Sequence, residues 1–154
     1  MAQVRLAARA VIIHMGRLLV VNAWPGGISD LWCAPGGGVE RGHSLPDNLK
    51  REIREECGLQ IDVGAPCLIN EFHDPASGFH QVDIYFRAQL AKGSAAALPA
   101  VWRDPAGVVE HRRFVTEAEL RTLRFKPDSL PDVAFGDAAA AFRAHYDPLE
   151  PIVR

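Results

Sequence analysis

The chain has 154 residues, of which 48% are apolar and 23% charged, a composition that excludes a disordered or fibrous protein. Its formal net charge is -2, from 17 Lys and Arg against 19 Asp and Glu, which argues against partners such as duplex nucleic acid or an anionic membrane. This length predicts a single domain over residues 1–154 that can close a hydrophobic core.

The cysteines and the N-terminus indicate the compartment. Cys33, Cys57 and Cys67 form no CxxC pair, so we expect reduced thiols rather than a disulfide framework or a zinc site. The apolar stretch 6–13 is too short to span a bilayer and lacks the layout of a signal peptide. The expected location is the cytoplasm.

The first predicted elements are a β-hairpin and a short strand. Residues 10–13 and 18–21 are apolar and partly β-branched, and Met15-Gly16 lies between them, which is typical of a hairpin. Residues 31–34 predict a short strand. The four turn residues 35–38 should end it.

A central helix is the clearest element of the sequence. Ser44 is a good N-cap, and Asp47 three residues later can complete a capping box. Pro46 falls in the first turn, where its missing N–H is not needed. The helix is predicted to run to Cys57, with Gly58 as its C-terminal stop.

Strands and helices follow in the second half. Strands are predicted at 66–72, 82–90 and 108–115, and the second of them alternates apolar and polar side chains. Thr116 is expected to cap a short helix through Leu123, and a last helix is predicted over 131–145. Strands on both sides of one central helix, followed by C-terminal helices, predict an α/β fold with layers in the order α/β/α.

Three carboxylates share one face of the predicted central helix. Glu52, Glu55 and Glu56 are spaced i, i+3 and i+4, so they repel one another unless they are paired. For the triplet by itself, pairing with neighbouring Lys and Arg on a solvated face is the favoured explanation. Two features favour a metal site instead: an apolar stripe beside this face, and the preceding glycine loop 35–38, whose carbonyls can bind a hard cation. Carboxylate and carbonyl oxygens select Mg²⁺ or Mn²⁺ over zinc.

The segment from Gly37 to Leu59 resembles the Nudix box. That motif is a Gly, five residues, a Glu, seven residues, and then Arg-Glu-aliphatic-any-Glu-Glu-any-Gly-aliphatic. Gly37 opens it, and the run Arg51-Glu52-Ile53-Arg54-Glu55-Glu56-Cys57-Gly58-Leu59 closes it without a mismatch. The lead-in 32–37 and, more weakly, nearly the whole chain are similar to the family. The resemblance implies a Nudix-type α/β/α sandwich with a mixed β-sheet.

The resemblance also implies roles for residues of the box. Glu52 would be both a metal ligand and the general base, and Glu55 and Glu56 would be metal ligands. Arg51 would orient Glu52, and the Gly36 carbonyl would complete the metal shell. Members of the family hydrolyse a nucleoside diphosphate linked to another group, and the expected cofactor is Mg²⁺ or Mn²⁺.

One position of the box departs from the pattern. His43 stands where a Glu is expected, just before the helix cap, where a carboxylate would favour the helix N-terminus and add to the surroundings of the metal. His43 is therefore either a tolerated solvent-facing substitution or a residue that retunes metal binding. Glu110, on a predicted strand, is a candidate further acidic group, although a lone Glu there is more often a surface charge.

The sequence thus predicts a metal-dependent pyrophosphohydrolase of a small nucleotide, with ADP-ribose or a nucleotide sugar as the first expectation. The spacing of Pro75 after the box is reminiscent of ADP-ribose pyrophosphatases, and Phe72 and Phe79 beside it are able to stack on a base. Two alternatives stay open: a nucleoside triphosphate pyrophosphohydrolase, and a nucleotide-binding sensor on the same fold, which only His43 favours. Nothing outside the box fixes the substrate or decides between a monomer and a homodimer.

Overall fold

A computed structural model describes residues 3–23, 29–94, 109–137 and 145–153. The strands are β1 Arg5–His14, β2 Arg17–Ala23, β3 Gly36–Gly38, β4 Ile61–Asp74, β5 Phe79–Leu90, β6 Val109–Val115 and β7 His145–Pro151. The helices are α1 Leu45–Cys57, α2 Glu117–Thr122 and α3 Leu130–Phe135. These bounds confirm the predicted central helix, the strand at 82–90 and the short helix capped by Thr116.

The strands form one mixed sheet in the order β6-β2-β1-β5-β4-β7, with β3 paired to β1 beside this path. β1 runs parallel to β5 and β4 runs parallel to β7, while the other pairs are antiparallel. The predicted hairpin is confirmed as β1 and β2, joined by Met15 and Gly16, both at positive φ. Parallel and antiparallel pairs in one sheet confirm the mixed sheet expected from the sequence.

Two hydrophobic clusters lie on opposite faces of this sheet. Ala8 and Ile12 of β1 pack with Ile53 of α1 in the first cluster. Val11 of β1 belongs to the second cluster, together with Leu120 of α2. Neighbouring residues of a strand point to opposite faces, so α1 covers one face while α2 and α3 cover the other. This arrangement confirms the α/β/α layers, and none of the helices in the described ranges is long and apolar enough to cross a membrane.

Helix α1 begins after Ser44 and ends at Cys57, as the sequence predicts. Ser44 Oγ accepts a hydrogen bond from the Asp47 N–H at 3.1 Å. At the other end, Gly58 has a φ of 69° and donates its N–H to the Arg54 carbonyl. A side chain is strained in that left-handed conformation, so Gly58 ends the helix just beyond Cys57.

The glycine run differs from the predicted turn, because Gly36–Gly38 forms β3. It pairs antiparallel with residues 7–9 of β1. A Cβ on Gly36 would overlap the carbonyl oxygen of Ala8, so this close approach of two backbones requires glycine. The strand predicted just before it, at 31–34, is reduced to isolated bridges.

The helix predicted over 131–145 is confirmed over 131–135 and is wrong at 136–137 and at His145, while residues 138–144 lie outside the described residues. Helix α3 ends just before Gly136, whose N–H is bonded to the Asp132 carbonyl, and a Cβ on Gly136 would overlap that oxygen. His145 instead begins β7, which pairs with β4. At His145, pairing with the edge of the sheet replaces the end of the predicted helix.

Candidate functional site

The three carboxylates of α1 face different surroundings. Glu56 is 6% exposed, whereas the side chains of Glu52 and Glu55 are 16% and 45% exposed. All three lie in the second half of α1, whose apolar stripe holds the helix against the sheet. The acidic face therefore runs from the domain body out to solvent.

Glu56 ties α1 to β3. Its Oε2 accepts a hydrogen bond from the Gly36 N–H at 3.0 Å. A hydrogen bond between a carboxylate and a buried N–H is stronger than one between two neutral groups. This contact brings the glycine strand and the acidic face of the helix together.

Glu52 lies against the next glycine. A Cβ on Gly37 would overlap the Glu52 Oε2 atom, so glycine is what leaves room for this carboxylate. Burial raises the pKa of Glu52, Arg51 opposes that rise, and Glu55 adds to it. The Glu52 carboxylate is thus held at the edge of the sheet, partly shielded from water.

Arg51 is the positive centre of this cluster. Its Nη1 atom lies 2.8 Å from Glu52 Oε1 and 3.3 Å from Glu55 Oε2. Its Nη2 atom lies 3.5 Å from Glu40 Oε1 and 3.4 Å from the Gly38 carbonyl. Burial by itself lowers the pKa of Arg51. The carboxylates of Glu52, Glu40 and Glu55 raise this pKa by more than burial lowers it, so the guanidinium stays charged. The Arg51 guanidinium is therefore shared among several carboxylates.

The carboxylates do not converge on one point as they are arranged. Within the described ranges, no three His, Cys, Asp or Glu side chains lie close enough together to hold a metal ion. The reason is local, because Arg51 draws Glu52 and Glu55 while the Gly36 N–H holds Glu56. The donors nevertheless suit a hard divalent cation, since all of them are oxygens and carry more negative charge than Arg51 offsets.

Of the two further residues singled out from the sequence, His43 is exposed at the start of the helix. The His43 side chain is 62% exposed, and its Nδ1 atom lies 3.9 Å from Glu40 Oε2. His43 therefore reaches the acidic face only through Glu40 and Arg51. Glu110 falls in β6, but its side chain lies outside the described residues.

The sequence did not point to a second polar group, on the face of the sheet opposite to α1. Arg9, Asn70 and Asp83 come from three neighbouring strands and line one cavity. In the sequence, Asp83 is one polar residue of an alternating strand, and Arg9 is a single charged residue within an apolar stretch. Arg9 was the available signal, because a charged residue within a buried strand needs a partner of opposite charge.

Comparisons with known proteins agree with the fold. The model of the NUDIX domain family matches residues 4–133. A NUDIX hydrolase from Nitrosomonas europaea has a TM-score of 0.72 at 18% identity, covering 90% of this chain and 91% of that chain.

Two other solved structures carry more specific names. A UDP-X diphosphatase has a TM-score of 0.68 at 17% identity, covering 97% of this chain and 68% of that chain. An ADP-ribose pyrophosphatase from Streptococcus suis has a TM-score of 0.61 at 16% identity, covering 97% of this chain and all 100% of that chain. No match was found among curated proteins. Identities this low support a shared fold, whereas the family match spans most of the chain.

Proposed function

Because this chain belongs to the Nudix hydrolase family, we propose that it is a divalent-metal-dependent enzyme that cleaves the diphosphate of a nucleoside diphosphate derivative. The observation that carries the proposal is the contact between α1 and the glycine strand. Glu56 accepts the Gly36 N–H, and Glu52 fits where Gly37 has no side chain. This contact gathers negative oxygens beside the backbone of the glycine strand, and carboxylate and carbonyl oxygens are the ligands that a hard cation prefers.

The acidic face is the proposed cation site. Glu52, Glu55, Glu56 and the Gly36 carbonyl would hold Mg²⁺ or Mn²⁺. When bound, the cation offsets negative charge on the phosphate oxygens and activates a water molecule. Arg51 already neutralises part of the same face, so its guanidinium competes with the cation for Glu52 and Glu55.

Glu52 is the proposed general base. Its raised pKa makes the carboxylate a better proton acceptor than an exposed Glu. The oxygen of the attacking water forms a bond to phosphorus, its proton passes to Glu52, and the bond between that phosphorus and the bridging oxygen breaks. Arg51, 2.8 Å from Glu52 Oε1, orients the carboxylate for this transfer.

The proposed substrate is ADP-ribose or a nucleotide sugar rather than a triphosphate. The support comes from the spacing of Pro75, the near-neutral net charge of -2 and the absence of an evident run of cations in the sequence. A triphosphate carries more negative charge than a diphosphate ester and so calls for more positive partners. A nucleotide sensor is the alternative that the exposed His43 left open.

A substrate screen with a matched pair of variants tests the function. The wild type should hydrolyse nucleoside diphosphate derivatives with Mg²⁺ or Mn²⁺, and a chelator should abolish turnover. Glu56→Gln should keep the fold, because the amide oxygen can still accept the Gly36 N–H, but lose metal affinity and most of its turnover. Glu117→Gln, which changes an exposed carboxylate on α2, is the control and should match the wild type.

Each alternative has its own result in the same screen. Wild-type turnover by Glu56→Gln at limiting Mg²⁺ would make the metal assignment wrong. A kcat/KM highest for a triphosphate would overturn the substrate class. Nucleotide binding without hydrolysis of any substrate would favour the sensor.

A further inference from the structure

Two histidines face each other near the tip of the hairpin formed by β4 and β5. His73 of β4 is the direct cross-strand partner of His80 of β5, one pair before the strands end at Asp74 and Phe79. Residues directly opposite each other in an antiparallel pair have Cβ atoms about 4.5–5.5 Å apart, so their side chains meet. The ring centroids of His73 and His80 lie 6.4 Å apart, with an angle of 59° between the ring planes.

This histidine pair lies on the sheet face on which α1 packs, but at an end that the helix leaves open. Neighbouring residues of a strand point to opposite faces, and Phe72 lines the cavity on the far face, so His73 points to the side of α1. Ile69 and Glu71 alternate along β4 toward the same side. Ile69 is 41% exposed and the His80 side chain is 34% exposed, so ions from the solvent can reach the pair.

One nitrogen of the histidine pair lacks a hydrogen-bond partner. His80 Nε2 is shielded from water, and none of the described residues forms a hydrogen bond with it. The nearest carboxylate oxygen, Glu71 Oε1, lies 3.8 Å away, which is too far for a hydrogen bond. Polar atoms that lose water on burial are nearly always paired. His80 Nε2 therefore calls for a partner from outside the described part of the chain.

Two imidazoles at this separation suit a shared metal ion. Neutral imidazole is a preferred ligand of Zn²⁺, Cu²⁺ and Ni²⁺, whereas Mg²⁺ prefers oxygen. A tetrahedral ion about 2.1 Å from one nitrogen of each ring would hold the two ring centroids about 5 Å apart. The rings of His73 and His80 are 6.4 Å apart, so they need to close by only about 1 Å. Rotation of two partly exposed side chains achieves this without moving the strands.

Glu71 supplies the negative charge that two neutral imidazoles lack. Its side chain is 23% exposed, and its Oε1 atom lies 3.8 Å from His80 Nε2. Across the described ranges no three such side chains converge on one point, so Glu71 acts through its charge and is not counted as a ligand. The site therefore has two protein ligands, and water completes the coordination of the ion.

We propose that His73 and His80 bind a divalent transition-metal cation of the Zn²⁺, Ni²⁺ and Cu²⁺ class, at a site separate from the acidic face of α1. The cation bridges β4 and β5 next to the turn and so clips the tip of the hairpin. The unfolded chain does not hold the two imidazoles together, so the bound cation stabilises the folded protein. The proposal goes beyond the proposed function, because neither the acidic face nor a nucleotide takes part in it.

Calorimetric titration of the full chain with Ni²⁺ tests the proposal without any need for hydrolysis. Excess Mg²⁺ is present throughout, so that the oxygen ligands of the acidic face do not compete for the probe. The wild type should bind Ni²⁺ at the histidine pair. His73→Gln and His80→Gln should each raise the Kd at least about tenfold, because the gain from holding two ligands side by side is lost.

Two further variants serve as controls. His43 also has a carboxylate nearby, with Glu40 Oε2 3.9 Å from its Nδ1, but it lies in the loop before α1 and not in a cross-strand pair. His43→Gln should therefore leave the Kd for Ni²⁺ unchanged. Glu71→Gln keeps both imidazoles and removes only the negative charge, so it should weaken binding by less than either variant of the pair.

Two readouts make the test independent of a folding defect in the variants. Ni²⁺ is paramagnetic in octahedral coordination, so in NMR spectra of the wild type it should broaden the imidazole signals of His73 and His80 before those of the other four of the six histidines. Excess Ni²⁺ should also raise the melting temperature of the wild type by at least about 3 °C. The same addition should not raise that of His73→Gln or His80→Gln, whose melting without Ni²⁺ should match the wild type.

Three results would overturn the histidine site. The first is that the wild type binds no Ni²⁺ when Mg²⁺ is present. The second is that the two variants of the pair bind Ni²⁺ as tightly as the wild type. The third is that broadening begins at other histidines, which would place the ion elsewhere on the chain.

Discussion

The acidic face of α1 and the cavity across the sheet are assembled in different ways. The acidic residues Glu52, Glu55 and Glu56 lie within little more than one turn of a single helix, so the helical period itself brings them together. The cavity draws on β1, β4 and β5 and on three further segments that are distant in the sequence. The geometry of the acidic face is therefore local, while the cavity exists only once the whole sheet has formed.

The two regions also balance charge differently. On α1, one guanidinium is shared among several carboxylates, which leaves an excess of negative charge. In the cavity, Arg9 is offset by Asp83. The difference suits the first region to a cation, whereas the charges of the second largely cancel. Variants on α1 should thus alter turnover, and variants that break the ion pair of the cavity should alter stability.

The largest expected effect is that of Glu52→Gln on turnover. The amide keeps the shape of the side chain but cannot take the proton from water, so kcat should fall by about 10³-fold, within the range for a general base. The melting temperature should stay close to that of the wild type, because Arg51 can still contact the amide oxygen. Retention of more than a tenth of the wild-type kcat at saturating Mg²⁺ would place the base elsewhere.

A loss of stability is expected when the buried ion pair of the cavity is broken. Asp83→Ala leaves the Arg9 guanidinium largely buried without its charge partner, which should lower the free energy of unfolding by about 3 kcal/mol. Arg17→Ala is the matched control, because it removes the shorter but exposed pair of Arg17 with Glu119. That change should cost less than about 1 kcal/mol. Urea titrations of both variants give the comparison, and similar losses would show that burial is not what matters.

A smaller effect on turnover is expected from Gly37→Ala. The added methyl group would overlap Glu52 Oε2 and push this carboxylate out of position. A displacement of about 1 Å can cost roughly 10²-fold in rate, so kcat should fall by about that factor. The double variant Gly37→Ala/Glu52→Gln should be no slower than Glu52→Gln by itself, because both changes act on one group. Additive losses would mean that Gly37 acts through something else.

The sequence predicts which residues form the acidic face because the determinants of that face are local. Ser44 and Gly58 fix the ends of α1, and these ends fix which residues share a face. The sequence also predicts that the glycine run lies close to the acidic face, but it does not predict that this run forms a strand. Whether Gly36–Gly38 makes a turn or a strand depends on a partner, β1, that lies about thirty residues earlier in the chain.

The parts that the sequence does not predict depend on long-range pairing. The segment from His145 reads as the end of a helix, but the open edge of β4 converts it into β7. Asn70 reads as one polar residue in a strand, and its burial follows from strands on both sides and from the rim of the cavity. No spacing rule links residue 70 to residue 9 or residue 83, because only the order of strands makes them neighbours.

The residues around His43 should keep its effect on metal binding small. It is mostly exposed and touches the acidic face only through Glu40, whose Oε1 lies 3.5 Å from Arg51 Nη2. Any influence on the metal therefore has to pass through the guanidinium of Arg51. Arg51 is also the group that competes with a cation for Glu52 and Glu55.

The smallest expected effect is accordingly that of His43→Glu on metal dependence. A second carboxylate beside Glu40 should draw Arg51 toward itself and away from Glu52, so less Mg²⁺ should be needed for half-maximal activity. The change should be at most about tenfold, the lower end for groups outside the ligand set. Glu40→Gln should act in the opposite direction, since Arg51 would then rest more fully on Glu52, and the neutral control His43→Gln should match the wild type. Mg²⁺ titrations of the four proteins decide the matter: if all four curves coincide, His43 is a bystander, and the acidic face binds its cation without help from the start of the helix.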